Sequence, residues 1–370
     1  MRIGVPAEVK NRETRVALTP GGAGRLVAAG HEVVIQAGAG GGSFLGDDAY
    51  VAAGARLGSR EDAWAADLVL KVKEPVPEEY PLLSDNLLFT FLHLAANEPL
   101  ARALLAAGTT AVSYDTVQRD DGSLPILAPM SAIAGALGVL EGGHHLLSPY
   151  GGRGVLLGGA PGVAGARVVV IGAGVAGSAA LDQAVAQGAD AVVLDLDPSR
   201  LEAARSRHGD RVRAVASTPE AVEEELLEAD LVIGAVLVPG RPAPTVVPHS
   251  LVARMRPGSV LVDIAIDQGG CFEDSRPTTH DDPVLEVEGS LVYCVANMPG
   301  AVGATATAAL VHATGGYVEA LAAHGRDELY EDASLARGLN VDAGSLRCRA
   351  VAEALPRLPF LAPPVEAPAR

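Results

Sequence analysis

Three glycines with the spacing GxGxxG carry the strongest chemical signal in the sequence. Gly172, Gly174 and Gly177 follow an apolar run and open a segment with helical periodicity. In this context the first glycine allows a tight turn, the second lets backbone N–H groups approach a pyrophosphate, and the third lets the helix pack closely on a strand. The motif predicts a dinucleotide-binding turn. A glycine-rich turn that serves packing alone is the alternative.

A carboxylate follows this motif at the distance expected for recognition of a ribose. Asp195 lies 21 residues after Gly174, at the end of the next predicted strand. A carboxylate in this position accepts hydrogen bonds from the ribose hydroxyls and repels a 2′-phosphate, so NAD is favoured over NADP. Asp197 is the alternative residue for this role.

Four further polar residues follow other predicted strands: Arg15, Lys73, His93 and Asp267. Ligands of open α/β sheets bind beyond the carboxyl ends of the strands, so these groups are candidates for a substrate site. A guanidinium and an ammonium neutralise a carboxylate and polarise a carbonyl, and an imidazole transfers protons near neutral pH. With a nicotinamide cofactor, the four residues predict redox chemistry on a small anionic substrate.

Two of these residues have a structural interpretation that the sequence leaves open. Lys73 could be a surface lysine that pairs, like its neighbour Lys71, with Glu74. His93 lies between two leucines and could be a core histidine whose hydrogen bonds are satisfied internally.

The other two also have an alternative. Arg15 could form only a surface pair with Glu13, which would contribute little to stability. Asp267 could cap a turn in which Gly269 and Gly270 adopt positive φ angles.

The elements that must position these residues show a regular alternation. From residue 166 onward, predicted strands at 167–171, 191–194, 211–216, 230–237, 259–266 and 291–296 alternate with predicted helices at 175–187, 198–207, 219–227 and 248–255. Earlier in the chain, predicted strands at 3–5, 32–35, 68–72, 87–91 and 110–114 surround helices at 21–29, 47–53 and 98–107. Such alternation predicts parallel sheets with right-handed crossovers.

Two long apolar segments complete the predicted organisation. Residues 127–150 read as a connecting helix, and 304–323 as a helix that returns the chain to the first α/β unit. We therefore expect an α/β protein with two Rossmann-like doubly wound domains and a cleft between them. The predicted substrate domain is 1–127 plus 304–370, and the predicted NAD-binding domain is 128–303.

Composition excludes several other classes of protein. The chain has 370 residues, and its 49% hydrophobic content suffices for a packed core. Its formal charge of −17 argues against nucleic acid or an anionic membrane surface as a partner. The N-terminal residues lack the apolar core of a signal peptide. Cys271, Cys294 and Cys348 are too few and too scattered for a disulfide framework or an ordinary metal site. We expect a cytoplasmic protein without a metal.

At this point a resemblance covers nearly the whole chain. The sequence resembles bacterial alanine dehydrogenases, relatives of the nicotinamide nucleotide transhydrogenase alpha subunit. The segments that carry the resemblance are ETRVALTP (13–20), KVKEP (71–75), LHLA (92–95), YDTVQ (114–118), LAPMS (127–131), GVLLGG (154–159), DIAIDQGGC (263–271), RPTTH (276–280) and ANMPGAV (296–302).

The resemblance implies a role for each candidate residue. Arg15 and Lys73 are expected to bind the carboxylate and carbonyl of pyruvate or alanine, and His93 to handle the proton. Asp267 is expected beside the nicotinamide, with Asn297 close to the reacting ring and the substrate. Further NAD contacts are implied for Ser131, Asp195 and Arg200. Known members of the family are commonly hexamers.

The chain departs from the family pattern in two segments. Where such enzymes usually read SEVAGR, this chain reads SAIAGA (131–136), and where they usually read AVPRTS, it reads AVGATA (301–306). Ala132, Ala136 and Ala304 therefore replace three charged residues. They could have formed one ion-paired network, whose joint loss is nearly neutral. Alternatively, substrate specificity has changed, or a hinge or subunit contact has been rebuilt.

The resemblance thus implies reversible, NAD-dependent oxidative deamination of L-alanine to pyruvate and ammonia. One alternative is a relative that acts on a larger amino acid or makes an N-alkylated, opine-type product. Another is a catalytically silent NAD-binding homologue. The division of acid and base work between His93 and Asp267 stays open, as does the physiological direction.

Overall fold

The computed structural model describes residues 1–236 and 243–365. Within them the chain forms two compact units, one made of residues 1–130 and 300–365 and the other of residues 131–236 and 243–299. Residue 237, the end of a predicted strand, and residues 366–370 of the predicted substrate domain lie outside the described residues.

The strands, in chain order, are β1 (Arg2–Val5), β2 (Glu32–Gln36), β3 (Arg56–Gly58), β4 (Leu68–Leu70), β5 (Leu87–Thr90), β6 (Thr110–Ser113), β7 (Arg167–Ile171), β8 (Asp190–Asp195), β9 (Val212–Ala216), β10 (Leu231–Gly234), β11 (Val260–Asp263), β12 (Val284–Val287), β13 (Ser290–Tyr293), β14 (Leu339–Asp342) and β15 (Ser345–Leu346). The α-helices are α1 (Pro20–Ala28), α2 (Asp47–Ala52), α3 (Arg60–Trp64), α4 (Glu98–Ala107), α5 (Leu127–His145), α6 (Val175–Ala186), α7 (Pro198–His208), α8 (Pro219–Leu227), α9 (His249–Val252), α10 (Gly303–His324), α11 (Glu328–Glu331), α12 (Ala333–Gly338) and α13 (Arg349–Ala354).

Each unit contains one predominantly parallel sheet. The first sheet has the order β15-β14-β6-β5-β4-β1-β2-β3, and the second has the order β12-β13-β11-β10-β7-β8-β9. Counted along the chain, the six parallel strands of each sheet follow the order 3-2-1-4-5-6, which is the Rossmann arrangement. The predicted fold class of two Rossmann-like units is confirmed. The strand order reverses between β1 and β4 in the first sheet, and between β7 and β10 in the second.

Burial explains why the predicted strands form. All residues of β4, β5, β10 and β11 are buried. Short, nearly continuous apolar runs of this kind are typical of parallel strands that are covered on both faces.

Helix α1, predicted at 21–29, spans Pro20–Ala28, one residue earlier at each end. The Thr19 hydroxyl accepts a hydrogen bond from the Gly22 N–H, and Pro20 occupies the first turn. Gly30, just beyond the helix, has a φ of +89°. No helix among the described residues is long and apolar enough to cross a membrane.

One predicted strand, 259–266, is too long and is corrected by the structure. Strand β11 ends at Asp263, and a 3₁₀ helix, Ile264–Gln268, follows it. The buried Asp263 carboxylate causes this break, because it accepts hydrogen bonds from the N–H groups of Ala265 (3.0 Å) and Cys271 (2.8 Å). Asp267 therefore lies in a helical turn and does not end a strand.

Other predicted elements are shorter than expected or were missed. The predicted helix 248–255 is reduced to α9, and the helix predicted at 127–150 ends at His145, before a separate 3₁₀ turn at Ser148–Tyr150. Strands β3, β12, β14 and β15 were not predicted. β14 pairs antiparallel with β6, and β12 pairs antiparallel with β13.

Candidate active site

The glycine-rich turn joins β7 to α6, and its three glycines have different structural reasons. Gly172 has a φ of +96°, and a Cβ on it would lie 2.6 Å from the Ala235 carbonyl oxygen. A Cβ on Gly177 would lie 1.7 Å from the Gly172 carbonyl oxygen. At Gly174, the nearest atom to an added Cβ is the Arg200 Nη1, at 3.9 Å. Close packing explains why no side chain fits at Gly172 and Gly177. Gly174, in contrast, borders open space at a helix N-terminus, as a pyrophosphate site requires.

Asp195 lies directly beside this turn. Its Oδ2 accepts the Ala173 N–H at 2.6 Å, and its Oδ1 accepts the Asp197 N–H at 2.8 Å. The Arg200 Nη1 lies 3.6 Å from Oδ2. Asp197, in contrast, caps α7 by accepting hydrogen bonds from Ser199, which lower the pKa of Asp197. The geometry favours Asp195 for the ribose, because it braces the glycine-rich turn while Asp197 is engaged at its own helix.

The Arg15 side chain is buried, so the interpretation of a surface pair with Glu13 is wrong. The Arg15 Nε lies 2.7 Å from the Glu13 Oε1, and its Nη2 lies 2.6 Å from Oε2, with both side chains almost fully enclosed. The Nη1 lies 3.2 Å from the Met130 sulfur. Glu13 therefore takes the two parallel hydrogen bonds of the Nε–Nη2 edge, which leaves Nη1 as the guanidinium nitrogen that does not face Glu13.

The loop that carries Arg15 is fixed by the residues on either side. The Thr14 carbonyl accepts the Ser43 hydroxyl at 2.8 Å, and the Val16 N–H donates to the Thr307 hydroxyl at 3.0 Å. The Thr14 hydroxyl donates to the Gly300 carbonyl. This loop follows β1, at the point where the order of the first sheet reverses, which is where open α/β sheets bind ligands.

Lys73 and His93 meet beyond the ends of the neighbouring strands β4 and β5. The Lys73 Nζ lies 3.4 Å from the His93 Nε2. If the ammonium donates this hydrogen bond, the neutral ring carries its proton on Nδ1. Lys73 is 5% exposed, so it is not a surface lysine, and Glu74 pairs with Lys10 instead.

His93 is partly exposed and is not enclosed in the core. Its backbone has a φ of +46°, an uncommon value for a residue other than glycine. Its ring stacks on Phe91, with 5.9 Å between centroids and 7° between planes. The strained turn and the stacking hold the imidazole toward Lys73.

A buried cluster of three charged residues lies behind Lys73, and the sequence analysis did not predict it. The Lys71 Nζ lies 3.2 Å from the Glu8 Oε2 and 3.1 Å from the Glu79 Oε1, and all three side chains are buried. Burial raises the pKa of Glu8, although the Lys71 ammonium opposes that shift. Burial alone would lower the pKa of Lys71, but the two carboxylates outweigh it and raise that pKa. Glu8 comes three residues after β1, so the strand-end rule could have found it.

The second unit carries the remaining predicted residues. Asp267 is exposed, and the capping role belongs to Asp263, whose side chain accepts the Ala265 N–H. Gly269 and Gly270 have the expected positive φ angles, +95° and +84°. Asn297 follows β13 with a φ of +70°. Ser131, which is partly buried, lies in α5.

Two models of one protein family together match most of the chain. Residues 4–134 match the N-terminal domain, and residues 138–349 the C-terminal domain, of the family described as alanine dehydrogenase/PNT. The chain belongs to the alanine dehydrogenase family. The predicted resemblance is thereby confirmed over both halves of the chain.

Individual relatives match over nearly their full length. An alanine dehydrogenase from Mycolicibacterium smegmatis is 53% identical over 364 residues, which cover 97% of this chain and 98% of the relative. The Bacillus subtilis alanine dehydrogenase is 46% identical over 96% of this chain and 95% of its own.

Solved structures show the same relationship. An L-alanine dehydrogenase superposes with a TM-score of 0.92 at 50% identity, covering 96% of this chain and 99% of that chain. A transhydrogenase from Sinorhizobium meliloti has a TM-score of 0.80 at 27% identity, covering 94% of this chain and all of its own. The family assignment therefore rests on both sequence and fold.

Proposed function

We propose that this protein is an NAD-dependent alanine dehydrogenase, which converts L-alanine and water reversibly to pyruvate and ammonia. The observation that carries the proposal is the 3.4 Å contact between the Lys73 Nζ and the His93 Nε2, beyond the ends of neighbouring strands. A cation beside a proton-transferring ring is the combination needed to deaminate a small amino acid. The relatives named above support alanine as the substrate.

Arg15 and Lys73 bind the substrate carboxylate and, on the pyruvate side of the reaction, its carbonyl. Fixing these groups orients the Cα hydrogen, and such orientation supplies a large part of enzymatic rate enhancement, up to about 7–11 kcal/mol in well-aligned systems. His93 takes up the proton that the amino acid and water release. Asp267 assists by orienting water or ammonia, and Asn297 contacts both substrate and cofactor.

NAD, when held by the glycine-rich turn, would supply the acceptor for the hydride that leaves the amino-acid Cα. The substrate becomes an iminium ion, which adds water and then releases ammonia to leave pyruvate. Gly172, Gly174 and Gly177 form the turn for the pyrophosphate. The remaining NAD contacts are assigned to Asp195, Arg200, Ser131, Asp267 and Asn297.

The variants His93→Ala and Lys73→Ala test this assignment. Loss of general acid–base catalysis costs about 10²–10⁴-fold in rate, so kcat for L-alanine should fall by that order. NAD affinity, measured by isothermal titration calorimetry, should stay within about twofold, because neither side chain belongs to the glycine-rich turn. NADH formation at wild-type rates in either variant would remove these residues from the mechanism.

A panel of amino acids tests the substrate. Turnover of L-alanine, followed by NADH absorbance, supports the proposal. Turnover of a bulky amino acid without turnover of alanine would indicate a relative with changed specificity. NAD binding without reduction by any amino acid would indicate a silent homologue.

The wider organisation is part of the same proposal. We assign NAD binding to the unit of residues 131–236 and 243–299, and substrate binding to the unit of residues 1–130 and 300–365. We expect a cytoplasmic homohexamer, as the family resemblance implies, and the three cysteines are free thiols, which suits a reducing compartment. Sedimentation analysis should give six times the 37.6 kDa of one chain. A monomer or dimer at micromolar concentration would contradict the hexamer.

A further inference from the structure

The backbone of Lys73 is held mainly by side chains. The ladder between β4 and β5 continues as far as the hydrogen bond from the Phe91 N–H to the Val72 carbonyl, at 3.1 Å. At Lys73, the N–H donates to the Glu8 Oε2 at 3.3 Å, and the carbonyl accepts the Thr90 hydroxyl at 3.0 Å. Beyond the last hydrogen bond between the two strands, the side chains of Glu8 and Thr90 therefore bind the backbone of Lys73.

The buried carboxylate of Glu8 accepts three hydrogen bonds. Its Oε1 accepts the Val72 N–H at 2.7 Å. Its Oε2 accepts the Lys73 N–H at 3.3 Å and the Lys71 ammonium at 3.2 Å. Hydrogen bonds to a charged group are stronger than neutral ones, and those inside the protein are poorly screened. Glu8 therefore fixes two successive peptide groups at the end of β4.

Lys71 has a second carboxylate partner, which offers a matched comparison. Glu79 accepts the same ammonium at 3.1 Å, and its other oxygen accepts the Val76 N–H at 3.0 Å. Replacing either glutamate by glutamine leaves Lys71 with one carboxylate, so neither change strands an unpaired buried charge. The two changes differ in the backbone groups that they affect, because Glu8 accepts the N–H groups of Val72 and Lys73, whereas Glu79 accepts that of Val76.

We propose that Glu8 and Thr90 are positioning residues, which fix the Lys73 peptide so that its amine lies against the His93 ring. Both act through Lys73 and have no substrate contact of their own. The inference rests on the function proposed above, in which Lys73 and His93 act on the substrate. Thr90 suits the role because its side chain is fully buried at the end of β5.

The test compares Glu8→Gln, Glu79→Gln, Thr90→Val and Lys73→Met in the full chain. For Glu8→Gln we expect KM for L-alanine to rise and kcat to fall, with kcat/KM lower by on the order of 10²-fold, as small misplacements of catalytic groups produce. NAD affinity should stay within about twofold of wild type. Glu79→Gln should keep kcat/KM within about threefold, because its loss leaves the Lys73 peptide bonded.

A purely structural role gives a different pattern. Fewer folded molecules lower kcat and the melting temperature but leave KM unchanged. Equal effects of Glu8→Gln and Glu79→Gln, or an unchanged KM in Glu8→Gln, would overturn the inference. If Glu8→Gln does not fold, the Thr90→Val variant tests the positioning role instead, because it introduces no charge imbalance. It should raise KM by on the order of threefold or more, and a wild-type KM would overturn the inference.

Lys73→Met separates this inference from the proposed function. If Lys73→Met still oxidises L-alanine, the assigned site is wrong and the positioning role falls with it. If Lys73→Met is inactive while Glu8→Gln and Thr90→Val behave like wild type, the proposed function stands and only the positioning role is overturned.

Discussion

Gly303, the first residue of α10, lies so close to Thr14 that a Cβ built on it would be 2.2 Å from the Thr14 hydroxyl oxygen. Thr14 precedes Arg15, and its hydroxyl group donates a hydrogen bond to the Gly300 carbonyl. At this position the family usually has the proline of AVPRTS, whose Cβ would meet Thr14. The departure in this segment is therefore coupled to the loop that carries the proposed carboxylate-binding arginine.

We expect Gly303→Ala to disturb substrate binding. The added methyl group would also lie 2.9 Å from the Thr14 backbone oxygen, so the Arg15 loop must move. Overpacking of this kind costs about 1–3 kcal/mol. The KM for L-alanine should rise and the free energy of unfolding should fall, while NAD affinity stays at the wild-type value.

Gly316→Ala is the control within the same helix. A Cβ on Gly316 meets no atom within 4 Å, and alanine is favoured over glycine in a helix by about 1 kcal/mol. This variant should keep its KM and gain stability in urea unfolding. A wild-type KM and stability in Gly303→Ala would show that the Arg15 loop adjusts freely.

The glycine-rich turn gives a second paired prediction. Gly177→Ala places a Cβ 1.7 Å from the Gly172 carbonyl oxygen, so α6 must shift, and we expect loss of both NAD affinity and about 1–3 kcal/mol of stability. Gly174→Ala meets no protein atom closer than 3.9 Å, so it should lose NAD affinity without loss of stability. Calorimetry and urea unfolding measure the two effects. Wild-type NAD binding by Gly174→Ala would show that the pyrophosphate lies elsewhere.

Much of the fold was predictable because the signals are local. The capping of α1 by Thr19, the glycine after it, and the buried apolar run of β10 can all be recognised within a few residues. Strands β14 and β15 could not be found in this way, because β14 pairs with β6 across more than 200 residues. The run after Asp263 stays apolar, so periodicity could not show that this carboxylate turns the chain.

Part of the candidate site could also be predicted, but from the topology of the sheet and not from local signals. Strand ends indicated Lys73 and His93, because the rule depends only on sheet topology. Glu8 and Lys71 were missed, since a buried ion pair and a solvated surface charge look the same in a sequence. For the same reason, a surface position for Glu13 stayed open as an alternative in the sequence analysis.

Cofactor preference can be tested at the two aspartates beside the turn. Asp195→Asn keeps an oxygen that can accept the Ala173 N–H but removes the charge that repels a 2′-phosphate, while Arg200 remains nearby. Hydrogen bonds to charged groups are worth about 1.5–3 kcal/mol, so the ratio of kcat/KM for NADP to that for NAD should rise at least about tenfold.

Asp197→Asn is the matched control for this change. Asparagine caps helices as well as aspartate does, so α7 should persist and the preference for NAD should be kept. A larger shift toward NADP in Asp197→Asn than in Asp195→Asn would transfer the ribose role to Asp197.

Thiol reactivity should be low and should rise with pH. Burial raises the pKa of Cys294 to about 11, and burial also raises the pKa of Cys271 and Cys348. Because only the thiolate reacts, and about one in a thousand Cys294 side chains is ionised at pH 8, alkylation of the native protein by iodoacetamide should be slow. In guanidinium chloride all three cysteines should react within minutes. This reaction is the positive control, and mass spectrometry counts the alkylated cysteines in both samples. Rapid labelling of Cys294 in the native protein at pH 8 would mean that its surroundings open in solution.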